Sequence, residues 1–480
     1  MEGMFDPGLL AEPFDVFAFD VEPAEPEQSR EVVLKQGQGT FFDEFIEIRD
    51  PEGMALTERV LADFDAVRPR QRKRNQAAQA SHAERISRLL ANAMRVHFHR
   101  ALPSVLYFRK ADAEWYESSP SWMRHGALGE AVDALADAGL METITGKKMP
   151  LGSATPSTAS SYAPTDNLIG MAMECGVTAQ SIGRRIPAEE LVRLFGPKPQ
   201  VEFDWIKGGL AQPRRGKRIM FEPTAETAEW TATLAAINAY YRQQDISLGL
   251  TPEQLDFWIA ERNADPDRTG APYRLPETFA TDIYRVFNNG DQEKPRFDQG
   301  GRMFGGWWMH ISEELREAIT INGLPTVELD YGNCHPRMLY AERGLDYDGD
   351  LYDFPEIADE CRSLIKWVMQ VLINGKRRPN ENEMPHRLTL PPGLTLREIV
   401  TLIEARHQPI ADAFKTGSGL RLMRLESDIA LEIVTTALAE GWVALSVHDS
   451  FITTINKRDR LEELMIHTYA DRLGRMPEIK

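Results

Sequence analysis

The chain has 480 residues and a mass of 54.3 kDa, about three times the length of a typical domain, so we expect two or three domains. Hydrophobic residues make up 42% and charged residues 27%, which excludes a wholly disordered or fibrous protein. No stretch approaches the roughly 18 consecutive apolar residues of a membrane span. The acidic start, MEGMFDPGLLAEPFDVF, differs from a secretory signal, and three cysteines without a CxxC pair do not form a disulfide framework. A cytoplasmic protein without membrane contact is expected.

The net charge of −18, with a pI near 5.2, argues against a nucleic-acid partner, because phosphate favours a basic surface. This average conceals two basic clusters, RPRQRKR at 68–74 and RRGKR at 214–218. A local cluster can bind phosphate even where the whole chain repels it. The residues that we expect to make electrostatic contacts with DNA are Arg72, Lys73, Arg74, Arg215 and Lys217.

The first 200 residues divide into two parts. Residues 1–50 mix proline with acidic residues and predict a loosely ordered acidic arm with at most one strand. Residues 51–200 predict a mostly helical domain, in which HAERISRLLANAMRVHF repeats apolar residues at helical spacing. The arginines of that segment form either a solvated helix face or a nucleic-acid contact. A Ser-, Thr-, Pro- and Gly-rich stretch at 145–166 predicts a mobile linker.

The rest of the chain changes from helical to mixed patterns. Residues 201–295 contain the helical runs TAETAEWTATLAAINAYYRQQ and TPEQLDFWIAERN. In residues 296–480, short strand-like runs alternate with long helical runs in a non-repeating order. This order is typical of an α+β domain with an antiparallel sheet.

Two aspartates are expected at strand ends. VELDY at 327–331 predicts a strand that ends at Asp330, and LSVHDSFITTI at 445–455 predicts a β-hairpin with its turn at HDS, which contains Asp449. A carboxylate between apolar strands is costly to bury unless a cation neutralises it. Although each aspartate alone is more typical of a turn, the two could together bind a pair of magnesium ions.

A third pattern is cationic. CRSLIKWVMQVLING predicts a helix that ends at Asn374 and Gly375. Arg362 and Lys366 lie four residues apart and therefore on one face. This face is either the solvated edge of a surface helix or a clamp for a triphosphate held opposite the aspartates. Two carboxylates, magnesium and paired cations together suit phosphoryl or nucleotidyl transfer.

These motifs, in their order along the chain, resemble those of the family A nucleic-acid polymerases, which include bacterial DNA polymerase I and the single-subunit phage RNA polymerases. DYGNCHPR at 330–337 resembles motif A, DYSQIELR. Arg362, Lys366 and Gly375 match the spacing of motif B, and HDS at 448–450 resembles the phage form of motif C. GGRMFGGWWMHIS, with Arg302, is similar to the TGR segment. The resemblance covers about residues 295–480.

The resemblance implies a right-hand polymerase with a palm of antiparallel sheet and helical fingers and thumb. Residues 296–480 would form the palm and fingers, and residues 201–295 the thumb. Asp330, Asp449 and the backbone carbonyl of Tyr331 would bind two Mg²⁺ ions, for which Mn²⁺ could substitute. Arg362 and Lys366 would contact the phosphates. His448 would lie beside the primer terminus. Arg302 and Arg337 would contact the nucleic acid.

Three positions depart from the motifs of the DNA enzymes and are expected at the nucleotide site: His335, Gln370 and Asn374. A bulky His335 could block a ribose 2′-hydroxyl, whereas Asn374 could hydrogen-bond to it. The choice of sugar therefore stays open, with deoxynucleotides favoured.

The sequence thus predicts a template-directed nucleotidyltransferase that uses a nucleic-acid template, a primer and nucleoside triphosphates. A compact DNA polymerase without proofreading is favoured, because Asp20 and Glu22 begin an exonuclease-like pattern that a Pro-rich acidic segment does not continue. The alternatives are an RNA-synthesising relative, such as a primase or a small RNA polymerase, and a polymerase-like protein that only binds nucleic acid. The pathway, whether replication, repair, a mobile element or a phage-derived function, stays open, as do the type of template and the oligomeric state.

Overall fold

A computed structural model describes residues 40–48, 50–67, 74–98, 106–107, 123, 126–144, 161–197, 203–204, 209–210, 216–264, 275–290, 293–355, 357, 361–385 and 387–480. All of them belong to one compact unit, Gln36–Lys480. Most of the expected acidic arm and of the expected linker lies outside the described residues. The same is true of Arg72, Lys73 and Arg215.

The helices, in chain order, are α1 (Pro51–Val67), α2 (Gln76–Phe98), α3 (Ala127–Asp137), α4 (Asp166–Glu174), α5 (Ala225–Tyr241), α6 (Pro252–Ala264), α7 (Glu313–Arg316), α8 (Cys334–Glu342), α9 (Arg362–Asn374), α10 (Leu396–Arg406), α11 (Gly419–Ala439) and α12 (Arg458–Leu473). The strands are β1 (Thr40–Phe41), β2 (Ile46–Glu47), β3 (Leu106–Tyr107), β4 (Met141–Ile144), β5 (Ser161–Pro164), β6 (Gly183–Arg184), β7 (Val192–Phe195), β8 (Phe203–Asp204), β9 (Gly209–Leu210), β10 (Arg218–Ile219), β11 (Ile246–Leu248), β12 (Tyr284–Phe287), β13 (Gly300–Phe304), β14 (Ile319–Ile321), β15 (Leu324–Asp330), β16 (Leu445–Val447) and β17 (Ser450–Thr454). The expected α+β class is confirmed.

Three larger sheets organise these strands. A five-stranded sheet has the order β11-β14-β15-β17-β16, and each neighbouring pair in it is antiparallel. A four-stranded sheet, β10-β7-β12-β13, is mixed because β7 and β12 are parallel. A second four-stranded sheet has the order β1-β3-β5-β4. The expected antiparallel sheet is therefore the one that contains β15 and the β16–β17 hairpin.

The described residues form two hydrophobic cores, and the change from one to the other occurs near residue 183. One core contains residues between Phe42 and Ile182, and the other extends from Ile186 to Tyr469, with Phe45 added to it. This division falls earlier than the expected boundary at residue 200. It also places α5 in the same core as the five-stranded sheet, whereas the resemblance assigns that helix to a thumb.

The two helices of the expected thumb differ in their packing. α5 begins at a capping box of Thr224 and Thr227 and buries Trp230 and Leu234. The hydroxyl of Tyr241, at its end, donates to the carbonyl of Ala444 at 2.5 Å, next to β16. α6, by contrast, has no buried residue among those described. Of these two helices, α5 thus lies in the core, whereas α6 contacts it through the partly buried Trp258.

The arginines of α2 correct an expectation from the sequence. Arg88 and Arg95 are each 8% exposed, although the helical spacing placed them on the solvent side. Arg88 donates to the carbonyl of Ile46 and pairs with Glu47, and Arg95 Nε donates to Glu277 at 2.6 Å. These two cations join α2 to other parts of the protein and are unavailable to nucleic acid.

Within the part of the chain that the structure describes, no helix combines the length and the apolar character that crossing a bilayer demands.

Candidate active site

The strand ends bring Asp330 and Asp449 together. β15 pairs with β17 from Thr326 to Asp330, and Asp330 lies opposite Ser450. Asp449 belongs to the two-residue turn between β16 and β17, and its carbonyl accepts a hydrogen bond from the Tyr331 N–H at 3.2 Å. The predicted strand and the predicted hairpin are both confirmed. The antiparallel register thus brings together two aspartates that are 119 positions apart in the sequence.

The hairpin turn carries backbone strain at His448. Its φ is 61°, in the left-handed region where glycine is the usual residue at the first position of a type II′ turn. Burial lowers the pKa of His448, and the charge of Arg302 lowers it further. Its Nδ1 is buried without a hydrogen-bond partner among the described residues, and its ring meets the Phe304 ring at 5.8 Å. His448 itself does not line the cavity that holds the aspartates.

That cavity has a volume of about 350 Å³ and is mainly polar. It collects eight of the residues predicted from the sequence, which are Arg302, Asp330, Tyr331, His335, Lys366, Gln370, Asn374 and Asp449. Tyr352 and Met423, which the sequence did not indicate, also line it. The motifs therefore converge on one cavity.

The electrostatics of the cavity favour a bound cation. Burial, together with the negative charges of Asp449 and Glu328, raises the pKa of the Asp330 carboxyl to about 7 against the opposing charge of Lys366. Burial also raises the pKa of Asp449, together with the charge of Glu426. Neither aspartate has an ion-pair partner within the described residues. A divalent cation would relieve this repulsion, and carboxylate oxygens are the ligands that Mg²⁺ prefers. The donor set therefore fits Mg²⁺.

Lys366 reaches the cavity from α9. This helix buries an apolar face that includes Leu364 and Val368, and Cys361 and Gly375 are its caps. The opposite face carries polar residues at four-residue intervals, which are Arg362, Lys366, Gln370 and Asn374. A Cβ at Gly419 would collide with the Asn374 side chain, so the glycine lets α11 begin close to the end of α9. The predicted helix and its end are confirmed.

Arg362 does not line the cavity with the other predicted residues. Its Nε donates to Asp350 Oδ2 at 2.5 Å and its Nη2 to Oδ1 at 3.1 Å. The guanidinium also lies 5.3 Å from the centre of the Tyr352 ring, beside a neighbouring cavity of about 280 Å³ that shares Tyr352 with the first. In this structure, Arg362 is thus paired with Asp350 and borders the neighbouring cavity, which shares Tyr352 with the aspartate cavity.

Glu426 is a buried residue of the site that the sequence analysis missed. It is 2% exposed and accepts hydrogen bonds from Arg302 Nε at 2.8 Å and Nη2 at 2.6 Å, while His335 Nε2 lies 2.7 Å from it. Burial opposes its ionisation, but the His335 hydrogen bond and the charge of Arg302 prevail and lower its pKa. The one signal in the sequence is a glutamate at an otherwise apolar position of α11, four residues after Leu422. Arg302 is therefore bound to protein rather than free for nucleic acid.

Ser450, the last residue of HDS, also has an internal partner. Its hydroxyl donates to Glu328, two residues before Asp330 on β15. Glu328 in turn accepts from Arg316 Nε at 2.7 Å and Nη2 at 2.9 Å. The serine thereby fixes the hairpin to β15 behind the aspartates.

Arg337 lies outside the cavity as well. Its Nη1 donates to the carbonyl of Tyr347 at 2.9 Å, and its Nη2 to Glu478 at 2.5 Å. The contact with nucleic acid expected for Arg337 is thus replaced here by bonds within the protein.

The basic residues expected to contact DNA are only partly described. Arg74 pairs with Asp65 at 3.0 Å, and its side chain is 8% exposed, which does not suit a surface contact. Lys217 is exposed. Trp307 and Trp308 are fully buried, so they belong to the core.

The described residues contain no group of three or more His, Cys, Asp or Glu side chains that could hold a metal ion. The aspartate pair accordingly lacks a third side-chain ligand in that part of the chain. Comparison of the sequence with protein-family models and with curated proteins yields no match.

Proposed function

We propose that the protein is a template-directed nucleotidyltransferase, most simply a compact DNA polymerase of the family A type without proofreading. The observation that carries this proposal is the single cavity that holds Asp330, Asp449 and Lys366. Two carboxylates without ion-pair partners face a cation on a helix, and this is the arrangement that transfer of a nucleotide from a triphosphate requires.

The chain's own residues would divide the work. Asp330 and Asp449, with the Tyr331 carbonyl, would hold two Mg²⁺ ions. When bound, these ions supply a polarised primer 3′-hydroxyl and charge stabilisation at the triphosphate. Lys366 would bind the phosphates through its ammonium group, because no described carboxylate lies within ion-pair distance of it. Arg362 would join it once its pair with Asp350 is broken.

The side chains that Glu426 holds in place would form the part of the cavity surface that contacts the sugar of the bound nucleotide. His335 borders the cavity with one ring nitrogen bound to Glu426, so the orientation of its ring is set by a buried carboxylate. Arg302 is held by the same carboxylate. Both side chains would therefore present rigid surfaces to the substrate.

An RNA-synthesising enzyme is the second candidate function. It is favoured by two polar residues of the cavity that depart from the DNA-enzyme motifs, Gln370 and Asn374, because each can hydrogen-bond to a 2′-hydroxyl. Extension of a labelled primer with dNTPs or with NTPs, on DNA and RNA templates, separates the two candidates. A parallel reaction without primer tests primase activity.

The strongest test of the proposal is Asp449→Asn, which removes one negative charge at nearly constant volume. We expect incorporation to fall by about a thousandfold or more, because the affected interaction stabilises the transition state. Binding of primer–template, measured by fluorescence anisotropy, should not weaken. Asp471→Asn, at an exposed position of α12, is the control and should behave like the wild type. Appreciable synthesis by Asp449→Asn would contradict the assignment of this metal ligand.

A second test addresses the cation of α9. Lys366→Ala should lower kcat/KM for the nucleotide by about ten- to a hundredfold, because the phosphates lose a charged partner. Single-turnover kinetics would separate the effects on binding and on chemistry. Lys294→Ala, at another exposed lysine, is the matched control. Equal kinetics for the two variants would show that α9 has only a structural role.

A wild-type protein that binds primer–template but extends no primer would indicate the non-catalytic alternative.

A further inference from the structure

The edge of β15 beside Asp330 is covered by residues 478–480. β14 pairs with β15 only at Leu324 and Pro325, so it does not extend to Asp330. There, the Asp330 N–H donates to the Lys480 carbonyl at 3.0 Å, and the Lys480 N–H donates to the Asp330 carbonyl at 2.9 Å. This exchange of two bonds is the hydrogen-bonded pair of an antiparallel ladder. The backbone of Asp330 is therefore held from the side that β14 leaves open.

The pairing continues beyond Asp330. Tyr331 and Ile479 lie opposite each other as an antiparallel bridge, and the Gly332 N–H donates to the Glu478 carbonyl at 2.8 Å. A Cβ at Gly332 would lie 2.9 Å from the Glu478 carboxyl carbon, so the absence of a side chain permits this approach. Three consecutive residues of motif A are thus paired with 478–480.

An ion pair fastens the same segment from α8. Arg337 Nη2 donates to Glu478 at 2.5 Å, and the Arg337 side chain is 16% exposed. Carbonyls of Tyr347 and Gly349 accept its other hydrogen bonds, at 2.9 and 3.2 Å. The guanidinium is therefore oriented toward Glu478 by neutral partners.

We propose that residues 478–480 form a positioning strand for Asp330, fastened by the Arg337–Glu478 ion pair. Arg337 then acts within the protein and not on the nucleic acid. This inference rests on the proposed function, because it assigns the strand to the carboxylate of the same site. A shift of about 1 Å in such a group can cost on the order of a hundredfold in rate, so the strand affects turnover without touching substrate.

A charge swap tests the ion pair. Arg337→Glu and Glu478→Arg should each lower kcat for primer extension by about tenfold or more, whereas the Kd for primer–template should not change. The double variant, which restores an ion pair in the reverse order, should regain most of kcat. If Arg337 contacts nucleic acid instead, Glu478→Arg alone will be active and the double variant will still bind primer–template weakly. That result would overturn the proposal.

Two variants of Lys480 test the backbone pairing, and they stay informative if the charge-swap variants fail to fold. Lys480→Pro removes the N–H that donates to Asp330, whereas Lys480→Met removes the same ammonium group and keeps the N–H. We expect a loss of kcat of about tenfold for the proline variant and at most about twofold for the methionine variant. Equal losses would show that the hydrogen bond does not matter.

Hydrogen exchange gives a readout that is independent of activity. Peptides that cover residues 327–337 should exchange faster in Glu478→Arg and in Lys480→Pro than in the wild type, while peptides from β11 should not change. Unchanged protection of residues 327–337 would overturn the positioning strand. If protection is lost as expected but the wild type extends no primer with any nucleotide, the proposed function is wrong and the pairing stands.

Discussion

Two carboxylate environments in the same site differ in the presence of cationic partners. Glu426 is almost fully buried, yet Arg302 and His335 keep its pKa low. Asp330 and Asp449 are less buried, but neither has an ion-pair partner within the described residues, and their pKa values are raised. Burial by itself therefore does not decide the charge state here. The protein neutralises the carboxylate that supports the site and leaves the pair that faces the cavity uncompensated.

Because of this difference, removal of a carboxylate should have opposite effects on stability in the two environments. Removal of a paired buried carboxylate leaves its cations without a partner and destabilises the fold. Removal of an uncompensated carboxylate relieves repulsion and stabilises the fold, at the expense of function. Mutation of each carboxylate should therefore change stability in opposite directions.

The largest expected effect on stability is at Glu426. Glu426→Ala should lower the free energy of unfolding by about 3–5 kcal/mol, because Arg302 and His335 lose their common acceptor in a buried place. Urea denaturation followed by circular dichroism measures this. Glu432→Ala is the matched control on the same helix, since Glu432 pairs with Arg472 at the surface, where such a pair contributes about 1 kcal/mol or less. Similar losses for the two variants would contradict the central role of Glu426.

The next effect is the pH dependence that Asp330 imposes. Its pKa is about 7 in the folded protein and 3.8 in the unfolded chain, so the folded state holds the proton between these values. Stability from this group is thus present at low pH and is lost as the pH rises from about 4 to 7. As the pH rises across this range in the presence of EDTA, the free energy of unfolding of Asp330→Asn should increase by about 2 kcal/mol relative to that of the wild type, after allowance for solvent screening. Denaturation curves at a series of pH values measure the difference.

Magnesium should reverse this difference. Because a bound cation stabilises only the folded state, MgCl₂ should raise the Tm of the wild type at pH 8 and should have a smaller effect on Asp330→Asn. CaCl₂ at the same ionic strength controls for general screening and for divalent cations of another size. A difference between the two proteins that is independent of both pH and Mg²⁺ would show that Asp330 is not in the predicted charge state.

The sequence predicted those parts of the site that depend on local pattern. A short apolar run before Asp330 is enough to indicate β15, and HDS between two apolar runs indicates the hairpin. The period of α9 and its glycine cap likewise define where Lys366 lies. In each case, the residues that determine the element lie within a few positions of the functional residue.

The sequence failed where partners are distant along the chain. Glu426 binds residues that precede it by 91 and 124 positions, and no local pattern encodes such a contact. The arginines of α2 were assigned to a solvated or nucleic-acid-binding face, but that helix is buried on all sides from Arg88 to Val96. Cations at helical spacing therefore indicate a face, and only the tertiary packing decides whether Lys366 meets a cavity or Arg88 meets a buried glutamate.

The smallest expected effect is at a third carboxylate, Asp350. This residue neutralises Arg362 at the surface and competes with any phosphate that would bind the guanidinium. Asp350→Asn should therefore lower the KM for the nucleotide by about two- to fivefold, the amount that an exposed ion pair can contribute, and should leave kcat unchanged. Asp353→Asn, at an exposed residue of the same neighbouring cavity, is the control. An unchanged or raised KM in Asp350→Asn would mean that Arg362 stays with Asp350 during turnover, and that Lys366 alone supplies the cationic partner of the triphosphate.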